Sequence, residues 1–119
     1  MTEIEILDNF GKLFTKAFDK SLAFSKNDLD DLRKHRFKNL FSNMTSEQKT
    51  EFEKVSFNML SGLLFGVLQI FEDNREYKIV YEADNKQVDL VKISEMLKAE
   101  PTIEGGWIDR FSKYGETNL

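Results

Sequence analysis

Residues 57–71 read Phe-Asn-Met-Leu-Ser-Gly-Leu-Leu-Phe-Gly-Val-Leu-Gln-Ile-Phe, and they carry no charge. Wound into a helix, this stretch is apolar almost all the way round, the pattern of a helix enclosed by its own domain. It is too short for a membrane span, which needs about 20 predominantly apolar residues. It also contains Ser61 and Gln69. The sequence therefore predicts a central, buried helix and no membrane association. Gly62 and Gly66 sit one turn apart, where small residues let another backbone approach closely.

The elements before it are helical too. Thr2-Glu3-Ile4-Glu5 has capping-box spacing. Ile6, Leu7, Phe10, Leu13, Phe14, Ala17, Phe18 and Leu22 then recur at helical spacing, with Lys12, Lys16, Asp19 and Lys20 between them. Gly11 reads as a tolerated blemish costing about 1 kcal/mol relative to Ala. Ser25 or Asn27 can cap a second helix. Its acids, Asp28, Asp30 and Asp31, precede its bases, Arg33, Lys34, Arg36 and Lys38, the order that the helix dipole favours. Thr45-Ser-Glu-Gln48 is a second capping box and opens the long third helix.

The period changes after Glu72-Asp-Asn-Arg75. Tyr77, Ile79, Tyr81 and Ala83 alternate with Lys78, Val80 and Glu82, and residues 87–91 alternate again around an Asp84-Asn85 turn. This predicts a β-hairpin that leans on the helices, because an isolated hairpin is marginal in water. A short helix over Ile93–Ala99, stopped by Pro101, and a closing helix over Trp107–Tyr114 complete the reading. The expected fold is α+β and a single globular domain, 1–119. It comprises three N-terminal helices, the third central and buried, then a β-hairpin and two short helices.

Composition removes several chemistries. The chain has 119 residues, no Cys and one His, so disulfides, thiol nucleophiles and thiolate metal sites are excluded. His35 lies among basic residues with no nucleophile motif beside it and reads as a surface residue. Counted as a calcium loop from Asp28, position six is Arg33 and position twelve is Asn39, where glycine and glutamate are required. Glu76-Tyr-Lys78, with Asp73 or Asp89, has a spacing used by metal-dependent nucleases, but it reads more simply as charged strand-edge residues. No metal, cofactor or catalytic residue is expected. The acidic, amphipathic start lacks a signal-peptide pattern, so a cytoplasmic location is expected.

What remains is charge placement. Residues 1–71 carry 10 acidic and 10 basic residues, and residues 72–119 carry 11 acidic and 7 basic. An acidic segment disfavours nucleic acid and suits a basic protein partner. Trp107, Phe111 and Tyr114 fall at i, i+4 and i+7, with Glu100, Glu104, Asp109 and Glu116 around them. An aromatic anchor rimmed by acids is a hot-spot composition. The expectation is a non-catalytic protein-binding module. Its most concrete form is a small bacterial inhibitor of the immunity type, capping a basic partner such as a nuclease toxin. Glu82, Asp84, Glu100, Glu104, Trp107 and Asp109 are the expected contact residues. The alternatives are a nucleic-acid-associated regulator using the basic helix at 33–38, and a homo-oligomeric structural protein joined through a hairpin edge or the Gly62/Gly66 face.

Overall fold

The computed structural model describes residues 1–27 and 31–115, with the Asp31 side chain left aside. Asp28 and Asp30, expected as acids in the first turn of the second helix, and Glu116 at the C-terminal end lie outside the described residues. The architecture is α+β, mostly helical, with one two-stranded antiparallel hairpin.

Helix α1 runs Glu3–Ser25. Thr2 caps it, its side-chain oxygen accepting the Glu5 N–H at 3.1 Å. Helix α2 (Asp31–Arg36) and helix α3 (Lys38–Ser42) occupy the span where one second helix is expected. The break is Phe37, whose φ of −114° and ψ of 22° leave the helical region. Its ring, with that of Phe41, turns onto Phe24, so aromatic contact overrides helix continuation.

Helix α4 (Ser46–Asp73) opens with the expected capping box. Thr45 accepts the Gln48 N–H, and Gln48 accepts the Thr45 N–H. Strands β1 (Val80–Ala83) and β2 (Lys86–Asp89) pair in register from Val80 with Asp89 to Ala83 with Lys86. Asp84 and Asn85 both have positive φ, 53° and 61°, the two-residue turn that their sequence signals.

The strands are shorter than the alternation predicts. Tyr77 donates its N–H to Asn74 O and belongs to the turn before β1. Asp89 ends β2 by accepting the Val91 N–H and pairing with Arg75, which starts helix α5 (Leu90–Ile93). A 3-10 turn (Leu97–Ala99) follows, and helix α6 (Trp107–Phe111) closes the fold. Helix α6 stops before Tyr114 because the Asp19 carboxylate takes the Ser112 hydroxyl at 2.5 Å and the Lys113 N–H at 3.1 Å.

The core corrects the expected centre of the molecule. Ile6, Leu7, Leu68, Leu90, Leu97 and Trp107 form one buried cluster, and Phe18, Leu22 and Ile108 form a second. Helix α1 contributes to both and touches α4, α5 and α6. The long helix expected as the third, α4, is neither central nor buried. Leu68 is the one fully buried residue of α4. The inner face of α4 packs on α1 and the 3-10 turn, while α5 and α6 pack on α1 and the hairpin joins through α5. No described element covers the outer half of α4. The described residues extend 53 × 25 × 25 Å, and their radius of gyration of 16.8 Å exceeds the roughly 13–14 Å of a compact chain this long.

Gly11 proves structural. A Cβ placed there would stand 2.6 Å from the Trp107 indole, which packs directly on the α1 backbone. Phe10 and Phe14 meet the same ring edge-on, each at 5.7 Å between centroids. We expect Gly11→Ala to destabilise by about 1–3 kcal/mol through overpacking, despite the roughly 1 kcal/mol that alanine gains in helix propensity. Trp107→Ala should cost about 3–5 kcal/mol. Urea unfolding of both variants measures these losses, and a stabilised Gly11→Ala protein would contradict the packing.

Candidate functional surfaces

The expected contact residues fall into two groups. Glu82 and Asp84 stand exposed at the hairpin tip. Glu82 accepts a hydrogen bond from the Gln87 amide at 2.6 Å, which steadies the carboxylate across the ladder. The second group lies along residues 100–109. Glu104 and Asp109 are exposed, and Asp109 accepts the Gly105 N–H at 2.9 Å. Glu100 is half-buried, its carboxylate taking the Ser94 hydroxyl at 2.8 Å, so it serves the loop first.

Trp107 is not an anchor for a partner. Its side chain has 0% exposure and lies in the core. Phe111 and Tyr114 are half-buried and pack against the two core clusters. The helical spacing of these aromatics was real, but the face they define turns inward. A short terminal segment needs such docking to stay ordered. The chain's one tryptophan therefore reports the core. Its fluorescence should resist iodide quenching in the native protein and become quenchable through the urea transition. A quenchable native tryptophan would restore the anchor reading.

The remaining motifs separate. Glu76, Tyr77 and Lys78 are exposed and precede β1 instead of lying on it, and Asp89 is already held by Arg75. His35 is exposed on α2, as are Arg33, Lys34, Arg36 and Lys38 around the α2–α3 junction. Among the described residues, no group of three or more His, Asp or Glu side chains converges as metal ligands would.

Two further surfaces stand out: the first was not singled out from the sequence, and the second contains the Gly62/Gly66 face expected there as an alternative joint between copies. Lys12, Lys16 and Lys20 lie one helical turn apart along α1. With Asp19, Phe111 and Lys113 they line an open groove of about 520 Å³. The Lys12 ammonium lies 5.5 Å from the centroid of the Phe111 ring. The i, i+4, i+8 spacing of the lysines was the available signal.

The second surface is the outer face of α4. Met59 is 70% exposed, Leu63 61%, Val55 53% and Ile70 51%, and Phe65 is also exposed. Val55, Met59, Leu63 and Ile70 fall at i, i+4, i+8 and i+15 and form one stripe, with Phe65 at the other edge of the exposed face. Near its N-terminal end the stripe runs into a groove of about 470 Å³, lined by Leu40, Met44, Phe52 and Val55 among others. A contiguous apolar stripe of this kind marks an interaction site. Among the described residues α4 is also the one helix long and apolar enough to cross a membrane, by length and composition alone.

No family model matches the chain, and no curated protein or solved structure matches it significantly.

Proposed function

We propose that this chain is a non-catalytic protein-binding module, most concretely a small cytoplasmic bacterial inhibitor of the immunity type that caps a basic partner such as a nuclease toxin. The observation that carries the reading is the exposure of Glu82, Asp84, Glu104 and Asp109 on rigid supports. The hairpin turn holds the first two, and the Gly105–Asp109 bond steadies the last. Carboxylates held this way accelerate encounter with a positive surface and impose orientation, while each one at a wet rim adds little affinity. Trp107 and Glu100 drop out as contacts, since one is core and the other is engaged with Ser94.

A tagged full-length chain should retain one stoichiometric basic protein from its native host. Against that protein, charge reversal at Glu82 with Asp84, and separately at Glu104 with Asp109, should lower the association rate by about tenfold at low salt. The difference should shrink as salt is raised. An unchanged association rate in both double variants would overturn the reading.

The lysine groove supports a second reading, a nucleic-acid-associated regulator. Three cations one turn apart on α1 add to the exposed basic residues of 33–38, and such a row suits a phosphate backbone. Salt-sensitive binding of a random-sequence single strand, lost on Lys16→Glu, would favour this reading over the inhibitor.

A further inference from the structure

The geometry points to an occupant for the outer face of α4: a second copy of this chain, packed antiparallel about a two-fold axis. This inference is independent of the inhibitor reading.

The stripe matches itself. In an antiparallel pair centred between Gly62 and Leu63, Val55 lies opposite Ile70, Met59 opposite Gly66, and Leu63 opposite Gly62. Each large side chain meets a glycine or a medium-sized one. Nothing stands within 4 Å of a Cβ built on Gly62 or Gly66, so both positions are open to an incoming side chain. Ile70 of the second copy then meets Val55 at the mouth of the groove lined by Leu40, Met44 and Phe52. Because a two-fold contact uses the same patch twice, this self-match is what an isologous dimer requires.

Area and charge agree. Val55, Met59, Leu63, Ile70 and Leu40 leave on the order of 500 Å² in solvent, against about 800 Å² that each copy contributes to a stable interface. Asn58 and Lys54, exposed beside the stripe, supply surface toward the remainder. The antiparallel order also brings Lys54 toward the exposed Asp73 of the second copy, whereas a parallel pair stacks like charge on like.

A lipid environment fits less well. The other face of α4 is packed on α1, and Leu68 is fully buried in the core. Ion pairs fix the helix near both ends, Lys26–Glu53 at 3.2 Å and Lys98–Glu72 at 3.6 Å. Surrounding α4 with lipid would dismantle that core. For a helix lying in the membrane surface, the rim carries Glu51 and Asp73 against Lys54, not the cationic edge that anionic lipid attracts.

Sedimentation equilibrium of the full chain tests the proposal, with Gly66→Gln as the discriminating variant. Glutamine has space in the monomer and suits a helix better than glycine, but it stands where Met59 of the second copy must pass. The wild-type chain should be dimeric at micromolar concentration, and Gly66→Gln should weaken association by about tenfold or more while keeping the native circular dichroism. The chain lacks cysteine, so disulfide trapping gives the orientation. Met59→Cys with Gly66→Cys should cross-link two copies efficiently, and Met59→Cys alone, which an antiparallel pair holds seven residues from its own counterpart, should do so poorly. A monomer at all concentrations, flotation of the wild-type chain with anionic vesicles, or efficient trapping through Met59→Cys alone would each overturn the proposal.

Discussion

The contact between Trp107 and Gly11 holds this structure together. Among the described residues, the polypeptide after residue 73 contains two four-residue strands and three very short helical pieces, none able to stand alone. They become a layer because the indole is driven onto the α1 backbone, with Phe10 and Phe14 closing around it. Leu90, Leu97 and Leu68 complete the same cluster. One buried ring thus joins the hairpin side, the 3-10 turn, α1 and α4. Ile108, next in the chain, then reaches the second cluster with Phe18 and Leu22.

Polar contacts define the ends of these pieces and so limit where binding residues can stand. Asp89 stops β2 and starts α5. Asp19 captures Ser112 and Lys113 and ends α6. Arg110 pairs with Asp8 at 3.2 Å, tying α6 to the first turns of α1. The acids used in this way are removed from the pool available to a partner. What is left outward is the hairpin tip, Glu104 and Asp109, with Asp73, Glu76 and Glu95 exposed elsewhere, a more divided acidic surface than the net charge of residues 72–119 suggests.

Local signals were legible in the sequence where the physics is local. The N-cap at Thr2, the capping box at Thr45 and the Asp84-Asn85 turn each depend on neighbours within a few residues, and each formed where its spacing places it, though at Thr2 the Glu5 side chain does not return a bond to the cap N–H. Direction of burial was not legible, because it depends on which distant element arrives. Gly11 looked like a blemish since nothing near it in sequence says that an indole from residue 107 will sit there. Trp107 and the α4 stripe exchanged the roles that composition assigned them. The aromatic rimmed by acids went inside, and the uncharged helix kept one face outside.

That exchange follows from how much covering material the chain contains. Helix α4 has apolar residues on its whole circumference over residues 57–71, and α1 has a single apolar stripe. A stripe can be satisfied by the short pieces available, and Leu90, Trp107 and Ile108 do so. A full circumference needs covering on both sides, and after α1 and the 3-10 turn have taken the inner side no described element of comparable length is left. The apolar outer face is therefore a consequence of chain length as much as of pattern. An apolar residue there gains nothing for the isolated monomer, since exposed helical positions are served as well by Lys or Glu at similar helix propensity. Four such side chains in one stripe, interrupted by two glycines that each weaken the helix, make physical sense when the stripe meets a surface shaped like itself.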